Sequence, residues 1–402
     1  MEPKIIKGWH NKPSWNNLGE FTKPNGKFED GEGGQPVFVP RMLPPIFAYD
    51  HKLVMLLAEA ERKVGELKGR GSELENPHIL IRAHLKKEAV LSSKIEGTLA
   101  SLEDLNRQEA IGDIDKKDAA DKRLREVVNY VNALEESLDQ VRDSGQRVSL
   151  DMLRKAHGKL MNGVRGGDKS PGEFRDQQNW IIKTRGTAHE IIYAPPPPEK
   201  VPALLGNLEE FFQGDSKSMP VLIQCAVMHY QFEAIHPFRD GNGRIGRLLL
   251  PLILCEKGTL PEPWLYLSAY FDEHRDQYYG GLLAVSQKSK WSEWIKFFLG
   301  AFIEQADETI RSIQELLALM KEYKGALLNK NASGNAVILM ERLFSNPYVT
   351  IPKASQLLGV TYPSAKNAVM ALVDAGILEQ TNIRYRSKVF VAGEIEKAIR
   401  VD

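Results

Sequence analysis

The chain has almost no cysteine: Cys225 and Cys255 are the only two in 402 residues. Both lie in apolar helical runs. That excludes a disulfide framework or a cysteine metal site and suits buried thiols in a reducing compartment. Excess charge is missing too. Lysine plus arginine number 53, as do aspartate plus glutamate, so no overall charge draws the chain to nucleic acid or acidic membranes. No apolar run is long enough to span a bilayer, and Met1-Glu2-Pro3-Lys4 lacks the apolar core of a signal peptide. A cytoplasmic protein without a membrane partner is expected. No repeat stands out, and Pro195–Pro198 is the one low-complexity tract.

The length allows two or three domains. Residues 1–45, rich in Gly, Pro, Asn and Trp, suggest an extended arm that packs on the body or stays mobile. Residues 46–145 are helical in pattern, with polar breaks near Gly69-Arg70-Gly71 and Gly112-Asp113. Residues 146–324 form a second helical region, 325–334 a polar linker, and 335–402 a separate module.

Residues 236–247 concentrate chemistry: His-Pro-Phe-Arg-Asp-Gly-Asn-Gly-Arg-Ile-Gly-Arg. The apolar run Met219 to Ala234 predicts a buried helix, which His236-Pro237 ends because a residue before proline leaves the α region. Arg244 to Glu256 is helical again, with Pro251 as a predicted kink. Gly241-Asn242-Gly243 therefore precedes a helix N-terminus, a natural anion site. Arg244 and Arg247 share one face of its first turn. A histidine can take a proton, and Asp240 can hold Mg²⁺. Singly, each residue type has an ordinary structural use. Their convergence on one helix start does not.

This segment resembles the Fic family signature HPFx[D/E]GNGRxxR at every fixed position. The resemblance extends from about Val39-Pro40 into the C-terminal module. It implies a mainly α fold, a Fic-type helical bundle with a β-hairpin flap, plus a C-terminal winged helix-turn-helix. It also implies AMPylation, the transfer of AMP from ATP to a Ser, Thr or Tyr hydroxyl of a target protein or of the chain itself. By that resemblance His236 is the general base and Asp240 holds Mg²⁺. Gly241, Asn242, Gly243, Arg244, Ile245, Gly246 and Arg247 bind ATP, with Arg244 at the β-phosphate and Arg247 at the γ-phosphate. Phe238 anchors the loop, and Tyr278-Tyr279 lines the adenine pocket. Ser286 stands where some relatives place asparagine.

Upstream, Ser92-Ser93-Lys94-Ile95-Glu96-Gly97 closes a helical stretch that begins near Pro77. Ser92 and Glu96 share a face, and Gly97 suits the residue that stops a helix. A carboxylate at a helix C-terminus is disfavoured by the dipole, which invites a partner. The segment is similar to the family's inhibitory motif [S/T]xxxE[G/N], at Ser92, Glu96 and Gly97. That implies a self-inhibited member in which Glu96 pairs with Arg247 and so joins the nucleotide site. Some members use this glutamate to remove AMP, and some use other donors.

Asn179-Trp180-Ile181-Ile182 and Glu190-Ile191-Ile192-Tyr193 are β-prone runs around Gly186 and predict a hairpin. In the family such a hairpin is the flap that clamps the target by strand addition, which assigns Ile181, Ile182 and Ile191 to it. Beyond the linker, Ala336–Phe344, Thr350–Val360 and Thr361–Ala375 are helical, with two short strands flanking Asn382 and cations at Arg384, Arg386 and Lys388. Winged helices of this kind bind DNA, bind proteins or dimerise. Eight basic and six acidic residues over 333–402 make a weak electrostatic case for DNA. Two functions from different classes follow: a restrained adenylyltransferase, or a nucleotide-sensing regulator acting through the winged helix. A homodimer is compatible with either.

Overall fold

The computed structural model describes all residues except 1–13, 16–17, 32–33, 73–76, 113–118, 186–187, 215–218, 383–386 and 400–402. The fold is mainly α. It opens with short strands β1 (Ser14–Trp15), β2 (Gly26–Asp30) and β3 (Pro36–Pro40). β2 and β3 pair antiparallel, and Val37 and Phe38 are fully buried, so the described part of the arm packs on the body. Met1–Lys4 lie outside the described residues.

Helices α1 (His51–Ser72), α2 (Pro77–Ile95), α3 (Leu102–Ile111), α4 (Ala119–Arg142) and α5 (Leu150–Leu160) follow. The break predicted near Gly69–Gly71 falls just after them: α1 ends at Ser72 and α2 starts at Pro77. Gly71 sits so close to the Trp264 indole that a Cβ would collide with it. The break at Gly112 is real: its φ of 84° caps α3, while Asp113 lies outside the described residues.

The hairpin is β4 (Ile181–Arg185) and β5 (Ala188–Tyr193), with its tip Gly186 outside the described residues. The parallel strand β1 adds to its β5 edge, giving the order β1-β5-β4. Then come α6 (Val201–Gln213), α7 (Val221–Ile235), α8 (Asn242–Glu256), α9 (Ser268–Glu273), α10 (Arg275–Lys288) and α11 (Trp291–Asn329). Nearly every side chain of α7 is buried, so it is the central helix. Pro251 lies inside α8, which continues through it. Cys225 is buried and Cys255 half-buried, and both thiols are free.

The predicted linker at 325–334 is mostly helix. α11 runs on to Asn329, because Tyr323 and Leu327 still face the core, leaving 330–333 as the connection. The last module holds α12 (Gly334–Leu343), β6 (Tyr348–Thr350), α13 (Ile351–Leu358), α14 (Tyr362–Asp374), β7 (Glu379–Gln380), β8 (Val389–Val391) and α15 (Gly393–Ile399). Its sheet has the order β6-β8-β7, all antiparallel. Arg384 and Arg386 lie outside the described residues, and Lys388 is exposed. The module shares the main hydrophobic core rather than hanging from a tether. No helix among the described residues is long and apolar enough to cross a membrane.

Candidate active site

The site is built at the junction of α7 and α8. α7 ends at His236, whose φ of 50° is left-handed, an arrangement that costs a non-glycine residue about 1–2 kcal/mol. Arg175 holds it there. Its guanidinium donates to the carbonyls of His236 (2.8 Å), Ile235 (3.2 Å) and Pro196 (2.5 Å), and its own N–H donates to the Pro237 carbonyl at 2.8 Å. Burial pushes the Arg175 guanidinium down to about 10, so it stays charged at neutral pH. Sequence reasoning gives Arg175 no role and misses this clamp.

The loop itself is closed by Asn242. Its side chain accepts from the Phe238 N–H (2.7 Å) and donates to the Phe238 carbonyl (2.8 Å). The Asn242 side-chain amide thus ties the two ends of the loop together. Phe238 is fully buried and stacks on His157 at 3.9 Å. His157 Nδ1 accepts from Gly172 N–H at 2.8 Å, so its Nε2 carries the proton and donates to the Asp240 carbonyl at 3.0 Å. Burial lowers its pKa to about 4, in keeping with this neutral tautomer.

α8 starts after Gly241, at φ 75°, and its first backbone bond runs from Ile245 N–H to Gly241. The N–H groups of Asn242, Gly243 and Arg244 are therefore donors without an intrahelical partner. Above them lies a cavity of about 350 Å³ lined by His236, Asp240, Gly241–Arg244 and Arg247. His236 is buried, and no hydrogen bond of normal geometry reaches either ring nitrogen. Burial lowers its pKa to about 4, helped by Arg175 and opposed by the nearby Glu233 carbonyl, Glu96 and Asp240. Arg244 is buried; its Nε and Nη1 have no hydrogen-bond partner, and Nη1 is ion-paired with the Glu126 carboxylate at 3.6 Å. Ile245 and Gly246 do not line the cavity. Ile245 is core, and Gly246 packs against Glu233 and His229.

Arg247 is held from the other side. Its Nε donates to Ser92 Oγ (2.9 Å), and Nη2 donates to the Ser92 carbonyl (2.9 Å) and to Glu96 Oε1 (2.8 Å). Burial pushes Glu96 up, but the lowering causes, led by the Arg247 charge, together outweigh it and the carboxyl ends below its ordinary value. Gly97, at φ 87°, lets the chain leave α2 beneath this contact. Arg275 donates to the Ile95 carbonyl and Lys94 pairs with Asp272 at 2.8 Å, so the end of α2 is tied to the α9–α10 junction.

The far end of the cavity is aromatic, with Tyr230, Tyr278, Tyr279 and Ser286 on its wall. The Tyr278 hydroxyl meets His229 Nε2 at 2.8 Å, and Ser286 Oγ lies 3.0 Å from the Tyr230 hydroxyl. Glu233 also lines the cavity. Burial raises it to about 8, so it carries a proton at neutral pH, a feature invisible in the sequence. The flap assignment needs correcting. Ile181 lines the cavity, but Ile182 and Ile191 are buried on the opposite face against Val37 and Trp180. Lys183 and Ile192 are the further flap residues that face the site. A bulge between Ile181 and Ile182 shifts the strand phase there.

Residues 147–254 match the family model described as Fic/DOC family, and residues 54–139 match the Fic/DOC family N-terminal model. A probable protein adenylyltransferase of Aquifex aeolicus is 26% identical over 209 residues, which are 51% of this chain and 58% of that protein. Protein adenylyltransferase fic-1 of Caenorhabditis elegans is 29% identical over 190 residues, which are 46% of this chain and 32% of that protein. The chain thus spans less than two thirds of either relative. A Fic family protein from Desulfovibrio desulfuricans has the same fold, with a TM-score of 0.56 at 22% identity over 87% of this chain and 98% of that one.

Proposed function

We infer that this chain, which belongs to the Fic/DOC family, is a protein adenylyltransferase restrained by its own Glu96. One observation carries the inference. Both ring nitrogens of His236 and two guanidinium nitrogens of Arg244 are buried without hydrogen bonds at one cavity and one open helix N-terminus. Buried polar groups are nearly always paired, so these await a ligand rich in anionic oxygens beside a hydroxyl.

His236 takes the proton of the target hydroxyl. The oxygen bonds to the α-phosphorus, the bond to the bridging oxygen breaks, and pyrophosphate leaves. A neutral imidazole is the competent form of the base, and burial keeps the ring neutral. The N–H groups of residues 242–244 and the Arg244 guanidinium stabilise phosphate charge. Asp240 fits Mg²⁺, which takes one or two carboxylates and completes its shell with phosphate oxygens and water. When bound, that ion would neutralise charge between the α- and β-phosphates. Ile181, Lys183 and Ile192 face the region where the target segment would lie.

With Arg247 held by Ser92 and Glu96, it is not free to receive a γ-phosphate. The restrained state follows from that pairing. Residues 335–402 we read as a winged helix in which α14 exposes Tyr362, Lys366, Asn367 and Met370. One cation on this face favours a protein partner over DNA.

The test is retention of label from α-labelled ATP with Mg²⁺ on wild-type, Glu96→Gly and His236→Ala full-length proteins. Label is expected to rise in the Glu96 variant and vanish in the His236 variant. No label in any of them, with ATP still bound, would turn the assignment to the nucleotide-sensing regulator or to another donor.

A further inference from the structure

Lys169, on the loop between α5 and β4, is not used by the chemistry above. Its Nζ lies 3.0 Å from Asp240 Oδ2, and the two side chains are 26% and 17% exposed. The other Asp240 oxygen, Oδ1, already accepts the Gly241 N–H at 2.8 Å. Oδ2 is therefore the oxygen open to a cation, and an ammonium holds it. The loop is placed for this. A Cβ on Gly166 would lie 2.6 Å from Oδ2, so the backbone passes in contact with the carboxylate. Lys169 N–H donates to the Gly166 carbonyl at 2.9 Å. The loop's far end is fixed at Gly172 by His157, the same ring that donates to the Asp240 carbonyl.

We propose that Lys169 is a built-in counter-ion for Asp240 that sets how far nucleotide binding depends on a divalent cation. Without metal, a bare Asp240 repels the triphosphate, and the ammonium cancels that charge. When the cation arrives, it must displace the ammonium from Oδ2. Lys169 thus strengthens metal-free ATP binding and weakens the gain that metal brings. This rests on Asp240 as the metal carboxylate. A lysine suits the role because its single point charge on a flexible stem can swing away.

The experiment is calorimetric titration of ATP with and without Mg²⁺ into full-length protein carrying Glu96→Gly and His236→Ala, which removes restraint and turnover. The readout is the factor by which Mg²⁺ tightens ATP. Lys169→Met is expected to raise this factor about two- to fivefold, the worth of a partly exposed pair. Lys169→Arg, which keeps the charge, should stay near the parent. Asp240→Asn should bring the factor close to one. An unchanged or smaller factor in Lys169→Met, with the factor lost in Asp240→Asn, overturns the role of Lys169 and leaves the metal assignment standing. A factor unaffected by Asp240→Asn removes the metal assignment itself, and the role of Lys169 with it.

Discussion

Gly243 and Glu96 are in such close contact that no side chain fits between them: a Cβ on Gly243 would collide with Glu96 Oε1 and press on Arg247 Nη1 at 2.9 Å. The glycine leaves room for the Glu96 carboxylate, and under the proposed function it would also let the backbone approach phosphate. Gly243→Ala should destabilise the wild-type protein by about 1–3 kcal/mol, the usual cost of overpacking. In the Glu96→Gly background only the contact with the flexible Arg247 side chain is left, and alanine's helix preference should offset its cost. Denaturant midpoints of the four proteins form a double-mutant cycle. An equal cost in both backgrounds would show that Glu96 does not sit over Gly243 in solution.

Much of this site was legible because its determinants are local. Proline after His236 ends α7, glycines open α8, and two arginines three apart share a face. Glu96 is legible for the opposite reason: a carboxylate at a helix C-terminus is locally unfavourable and points to a distant partner. What stayed hidden depends on contacts across the fold. Arg175 clamps carbonyls some sixty residues away, and His157 links Gly172 to Asp240, but neither has a local pattern. The flap shows a different limit. Trp180-Ile181-Ile182 and Ile191-Ile192 lack polar alternation, so period two cannot say which isoleucine faces the site, and the bulge at Ile181/Ile182 shifts the phase again. The linker failed because small residues at 325–329 look loose while Leu327 is held in the core.

Stability should peak near neutral pH. Burial lowers His84, His157, His229 and His236 to about 4, 4, 3 and 4, from 6.5 in the unfolded chain. Between those values the unfolded state binds more protons at these sites, so their contribution is lost as pH falls below about 6.5. Burial raises Glu88 and Glu233 to about 7 and 8, from 4.5. There the folded state binds more protons, and this contribution is lost as pH rises through 7 and 8. Four histidines outweigh two carboxylic acids on the acid side, and only the acids act on the alkaline side. Urea midpoints from pH 4.5 to 8.5 should therefore pass through a maximum at about pH 6–7. A midpoint that climbs steadily to pH 8.5 would mean that Glu88 and Glu233 are ionised in the folded protein.

A buried cation on α2 reaches into the C-terminal module. Lys86, on α2 ten residues before Glu96, is fully buried and donates to Asn106 Oδ1 (2.9 Å), Glu109 Oε2 (2.6 Å) and the Ser345 carbonyl (3.1 Å). Ser345 belongs to the turn between α12 and β6. Asn346 beside it donates back to the Asn106 carbonyl at 2.8 Å, and Thr350 donates to the Ala110 carbonyl at 3.2 Å. Burial pushes the Lys86 ammonium down, and Glu109 opposes this. Methionine at this position would keep the packing of the stem and leave three acceptors without their donor. Because Glu109 is partly exposed and keeps Asn346, the loss should be about 1–3 kcal/mol, not the larger cost of a stranded buried charge. Hydrogen exchange in Lys86→Met should show protection falling first in α3, β6 and the turn at Ser345, while α7 and α8 keep theirs. Uniform loss across the chain, or none, would mean that Lys86 does not join these two parts.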